Sequence, residues 1–172
     1  MSPLARVRIV LWEGASLWVM QVAEAPATDR TDFHAHHAIQ VTLALDGRFE
    51  LYGTDGRVEG PAAAVAPDAR HAFGARGAIA LLFIDPESRV GEALTRSLFV
   101  DRPIVSLPEE GLSELRAGLL AQLRSAMRDD DAVRDLGRAV VEHLSGTATP
   151  VSADPRIRET IAWASGELPV LD

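Results

Sequence analysis

Three of the chain's five histidines, His34, His36 and His37, stand within four positions in the stretch Phe33-His-Ala-His-His-Ala-Ile-Gln40. Neutral imidazole offers a lone pair to a divalent metal, and its charge changes close to neutral pH. The cluster therefore suits metal ligation, the polar wall of a binding pocket, or nothing beyond a solvated surface. In an extended strand, residues two apart project to the same side, roughly 7 Å apart along the chain. If the strand reaches back to residue 34, then His34, His36, Ala38, Gln40, Thr42 and Ala44 share one face. His37, Ile39, Val41, Leu43 and Leu45 share the other. The second face is apolar and must pack. The first carries imidazoles, an amide and a hydroxyl beside small residues that leave room, as expected of a polar cavity wall. His37 points away from this set and reads as a surface or supporting residue.

The histidines must be positioned by strands. Before Asp85, short apolar and β-branched runs alternate with Gly, Asp and Pro turns. The runs cover residues 4–12, 16–22, 39–45, Phe49 to Gly53, 62–67 and 78–85, and Asp-Gly pairs at 46–47 and 55–56 supply turns. Roughly seven strands at such spacing predict a sandwich or small barrel. After Asp85 the period becomes helical. Asp85 and Pro86 suit an N-cap and first helical position. Leu112, Leu115, Leu119, Leu123 and Met127 form one apolar stripe, and Val133, Leu136, Val140 and Leu144 a second. A helical hairpin is predicted. Its stripes serve either to pack on the strands or, within 109–145, to form a homodimer seam.

Residues 146–153 have a linker composition, and Asp154-Pro155-Arg-Ile opens a further amphipathic helix over 154–172. A lone helix behind a linker cannot bury its own apolar side, so it is expected to be the first element of a further domain. There is no cysteine, which excludes disulfides, thiolate ligands and cysteine nucleophiles. No apolar run reaches membrane-spanning length and no secretory leader is evident, so no membrane partner and a cytoplasmic location are expected. The hydrophobic fraction of 47% argues against disorder. All 17 basic residues are arginines, and the net charge of -8 opposes direct contact with a phosphate backbone. Neither a phosphate-binding glycine loop nor a nucleophile elbow occurs.

The spacing His34-x-His36-x3-Gln40-x6-Gly47 resembles the first motif of the cupins, with Gln in place of Glu. Gly60, Pro67 and His71 follow the second motif loosely. The resemblance implies a mainly β fold, a cupin-like double-stranded β-helix (jelly-roll barrel) over 1–85, followed by helices over 86–145. It also implies His34, His36, Gln40 and His71 as the metal set, and a divalent metal (Zn, Ni, Fe or Mn) as an optional cofactor. Gln is a poorer ligand than Glu and leaves the cation's charge uncompensated, so an anionic exogenous ligand would be favoured. Without a metal, His34, His36, Gln40, Thr42 and His71 would line a pocket for a small-molecule effector.

The order of strands, helical hairpin, linker and Asp-Pro-Arg-Ile helix also resembles the AraC/XylS family of transcriptional regulators. That resemblance implies an effector-sensing and dimerisation portion without catalytic activity. DNA would be bound only through a helix-turn-helix domain whose first helix is 154–172. The alternative is a small metal-dependent cupin enzyme, a dioxygenase or isomerase.

Overall fold

The computed structural model describes residues 7–22 and 30–147 of the chain. Eight strands come first in space and mostly in sequence: β1 (Val7–Trp12), β2 (Ala15–Val22), β3 (Ile39–Ala44), β4 (Arg48–Gly53), β5 (Gly56–Glu59), β6 (Ala62–Val65), β7 (Ala72–Ile84) and β8 (Ile104–Ser106). Three helices, α1 (Arg89–Leu98), α2 (Leu112–Arg124) and α3 (Asp130–Thr147), complete the chain's described part. The main sheet runs β1-β2-β7-β3-β6-β8, with every pairing antiparallel. A second ladder joins β5 to β4 and β4 to the first half of β7.

The 13-residue β7 belongs to both ladders. Residues from Gly77 onward pair with β2, and those from Ile79 with β3, while Ala72 to Arg76 pair with β4. The change occurs at Gly77, whose φ of +72° suits glycine, and a Cβ there would lie 2.8 Å from the Gly47 Cα. Gly47 is fixed by the same crossing, since its own Cβ would lie 2.1 Å from the Arg76 carbonyl oxygen. The Asp46-Gly47 turn expected from sequence therefore does more than reverse the chain. It also lets two strands pass at backbone contact.

The expected closed barrel is corrected here. Among the described residues β1 pairs only with β2, β8 only with β6, and β5 only with β4, so the ladder has open edges and does not return on itself. A sheet closes only when its terminal strands meet at matching tilt and stagger. Here β7 forks the sheet into two layers, and helices cover one face. The result is an open, forked antiparallel sheet with helices on one face.

On β3 the two faces separate as parity requires. Ile39, Val41 and Leu43 join Val10, Leu17, Val19, Ala64, Leu82 and Ile84 in one core, together with Leu94, Leu112, Leu119, Leu123, Val133, Val140 and Leu144 from the helices. The predicted hairpin stripes are thus covered by the chain's own sheet, except that Met127 is exposed. Burying each such leucine contributes about 1.5–3 kcal/mol. A smaller core of Phe49, Leu51, Ala63, Val65 and Ile104 fills the space between the two ladders. Arg8 ties the edge strand to the hairpin: its Nη2 donates to the carbonyls of Ser125 and Met127 at 3.2 and 3.1 Å, just past the end of α2.

Three local expectations are revised. The helix after Asp85 begins at Arg89, capped by Ser88, whose Oγ accepts from Gly91 N at 3.0 Å. Asp85 instead organises the preceding turn, accepting from Glu87 N through its carboxylate and from Ser88 through its carbonyl. β8 lies within the stretch expected to be all helical; its three residues are held by β6, a long-range pairing that local periodicity does not encode. β7 begins six residues before the predicted strand at Ala78, at Ala72, because its glycine-rich half lacks an apolar alternation.

Candidate metal centre

The main sheet presents Gln40 and Thr42 on the face opposite the large core, where both are buried although polar. The chain ahead of β3 is not a continuous strand, contrary to the condition set by the parity reading. His34 makes an isolated bridge with His71, each backbone N–H donating to the other's carbonyl at 2.9 Å. Residues 35–38 are irregular. Even so, His34 and His36 arrive on one side with His71. One imidazole nitrogen from each of the three lies within 4.8 Å of the others. The ring centroids are 4.5 Å apart for His34–His71, 5.1 Å for His36–His71 and 5.9 Å for His34–His36. All the residues expected in the pocket (His34, His36, Gln40, Thr42 and His71) are therefore assembled. His37 lies outside: it is exposed, and its Nδ1 donates to Asp68 at 2.8 Å.

The hydrogen bonds commit one nitrogen of each ring. Nδ1 of His34 donates to the Asp32 carbonyl at 2.9 Å, that of His36 to the Ala38 carbonyl at 3.2 Å, and that of His71 to the Ala69 carbonyl at 2.9 Å. A carbonyl only accepts, so each Nδ1 carries hydrogen, and in a neutral ring Nε2 then has a lone pair alone. Gln40 Nε2 donates to Thr42 Oγ1 at 3.1 Å, which turns Oε1 toward the rings. Oε1 lies 3.0 Å from His36 Nε2 and 3.3 Å from His71 Nε2. Burial holds the His71 pKa below the ordinary histidine value; the Ala69 carbonyl pulls the other way, and the neighbouring rings add to the lowering. With neutral rings, Gln40 Oε1 and the Nε2 atoms of His36 and His71 face one another as acceptors with no donor among them.

An aromatic wall borders the cluster. Phe83 meets the His36 ring edge-on at 5.4 Å, and Trp18 meets Phe83 at 6.2 Å. The register places Phe83 beside Gln40 in the β3–β7 ladder. Phe83 could have been found from sequence by extending parity to the run 78–85, where it alternates with Leu82 and Ile84. The carbonyls of Asp32, Ala38 and Ala69 carry no signal in residue type. His34 is exposed whereas His71 is fully buried, so the cluster opens on the His34 side.

No family model matches the chain, and no curated protein matches it. Solved structures similar to it include the conserved protein SPY1581 of unknown function from Streptococcus pyogenes, at 15% identity and TM-score 0.41, covering 51% of this chain and 80% of that one. An RmlC-like cupin from Shewanella frigidimarina is 15% identical, with TM-score 0.40 and coverage of 49% and 78%. AerE from Microcystis aeruginosa is 16% identical, with TM-score 0.45 and coverage of 63% and 50%. Values of this size assign neither an activity nor a ligand.

The regulator reading is corrected accordingly. No family model places the chain with AraC-type regulators or with a DNA-binding family. Among the described residues there is no helix-turn-helix DNA-binding unit, and α2 and α3 bury their stripes on the sheet. The predicted linker and helix over 146–172 lie outside the described residues except for Gly146 and Thr147, which belong to α3. The expectation of a protein without catalytic chemistry is corrected as well, because the three-histidine cluster is a donor set of the kind a metal-dependent enzyme uses. Among the described residues no helix is long and apolar enough to cross a membrane.

Proposed function

We propose that the chain is a small metal-dependent enzyme of cupin-like fold, with a divalent cation held by His34, His36 and His71 and by Gln40 Oε1. The observation that carries this reading is the meeting of ring nitrogens and an amide oxygen with no donor among them. With Nδ1 of each ring committed to a carbonyl, Nε2 is the nitrogen left for a ligand. Lone pairs about 3 Å apart repel unless something positive lies between them, and a divalent cation satisfies all of them at once. Imidazole and amide oxygen suit zinc, iron, nickel or manganese.

When bound, the cation would supply Lewis acidity that polarises a substrate oxygen. The chain's own contribution is orientation. Three carbonyls lock the tautomers, Thr42 holds the Gln40 amide, and the Phe83–Trp18 wall keeps water off the buried side of His36. All four donors are uncharged, so the substrate must balance the charge, and a carboxylate-bearing molecule entering past the exposed His34 is the expected class.

The test is metal analysis of tag-free protein after loading with zinc, iron, nickel or manganese. One equivalent should be retained, lost in His36→Ala, and required for turnover of a carboxylate substrate. Failure to retain any of the four ions would overturn the reading. It would mean that the Gln40 amide is reversed, its NH₂ donating to both rings while Thr42 donates to its oxygen.

A further inference from the structure

A second concavity, of about 770 Å³, lies away from the histidines. It is lined by β4, β5, the first half of β7 and the Arg116 side chain. Its size is that of a metabolite pocket. Four arginines face it, Arg48, Arg57, Arg76 and Arg116, against two acids, Glu50 and Glu59. This is a local reversal of sign on a chain of net charge -8.

The surplus is confined to two residues. Arg57 is balanced by Glu50 at 2.8 Å and Glu59 at 3.5 Å. Arg116 is balanced by Glu109 at 2.8 Å, and its Nε donates to the Ala44 carbonyl. Glu50, two residues from Arg48 on the same face of β4, is engaged by Arg57 at 2.8 Å and by the Tyr52 hydroxyl at 2.6 Å. Arg48 and Arg76 remain, their guanidinium groups without an ion pair or hydrogen bond to a described residue. They are directly opposed in the β4–β7 register. Opposed side chains start about 4.5–5.5 Å apart, and like charges placed so destabilise the pair.

We propose that this cavity binds a doubly charged oxyanion, the phosphoryl or dicarboxylate end of a metabolite-sized ligand, between Arg48 and Arg76. Two guanidinium forks converging from adjacent strands match the oxygens of such a group and relieve the repulsion between them. The site is independent of the histidine cluster, and its occupant is bound through charge and geometry alone.

The experiment is a thermal-shift and calorimetric titration of the full chain with inorganic phosphate and, separately, succinate. It is run on protein stripped of metal and then dialysed free of chelator, with ionic strength held constant by sodium chloride, so that no metal at the histidines can bind the anion. A saturable rise in Tm is expected with at least one of the two, and which one identifies the ligand class. Arg48→Gln, at an exposed position, should weaken binding about tenfold, and Arg48→Gln/Arg76→Gln should abolish it. The double variant without anion should be as stable as the parent or more so, a signature that a merely structural arginine pair would not give. No saturable response to either anion, an equal response in the double variant, or a rise reproduced by sodium chloride would each overturn the proposal. If the double variant fails to fold, the single variant decides the matter by its affinity.

Discussion

The histidine cluster and the arginine cavity touch opposite ends of β3, Gln40 near its start and Ala44 at its close, and their electrostatics are mirror images. At the first, lone pairs gather without a donor. At the second, the Arg48 and Arg76 guanidiniums stand opposed without an acceptor of their own. The first is small, partly buried and locked by backbone carbonyls; the second is wide, and Arg48 is exposed. Burial makes an unbalanced group costly, whereas solvent screens it. The histidines therefore depend on tight geometry and the arginines on charge, and substitutions should act accordingly.

The largest effect is expected from His36→Ala, which removes a ligand and should lower metal retention by at least about 100-fold, measured by metal analysis after dialysis. Arg48→Gln should leave retention unchanged. If both variants lost metal alike, the two regions would not be separate sites. Thr42→Val removes the acceptor that aims the Gln40 oxygen at the rings, and should cost about 10–100-fold in metal affinity by competition with a chelator. An unchanged affinity would show that Gln40 does not serve as a ligand. Gln40→Glu supplies the missing negative charge, and should raise affinity about tenfold while weakening the preference for anionic substrates.

A smaller effect concerns pH. The folded chain holds the His71 pKa below its unfolded value, so the unfolded chain takes up the proton first as pH falls. The stability this contributes is present above about pH 6.5 and is lost on going down through the folded pKa. Urea unfolding of metal-free protein should give lower stability at about pH 5.5 than at pH 7.5, with a shallower dependence in His71→Gln. The smallest effect is a gain of about 0.2–1 kcal/mol in anion-free stability for Arg76→Gln, from relief of the cross-strand repulsion.

Much of this was legible along the chain. Strand parity separated Ile39, Val41 and Leu43 from Gln40 and Thr42, and the structure buries the first set in the main core and turns the second toward the histidines. The helical stripes likewise identified the residues that cover the sheet. The arginine cavity left no such mark, because Arg48 and Arg76 are far apart in sequence and only the β4–β7 register opposes them. The helix predicted over 154–172 lies outside the described residues, and the DNA-binding reading rested on its Asp-Pro-Arg-Ile start alone.

Residue order alone determined which side chains could do chemistry, which faces were apolar and where the chain had to turn, since these depend on periods of two and 3.6 and on Gly and Asp at turns. Whether the sheet closed, which carbonyls set the imidazole tautomers and which like charges met across a ladder were settled only by folding. Each depends on groups distant in sequence, or on backbone atoms that every residue carries alike.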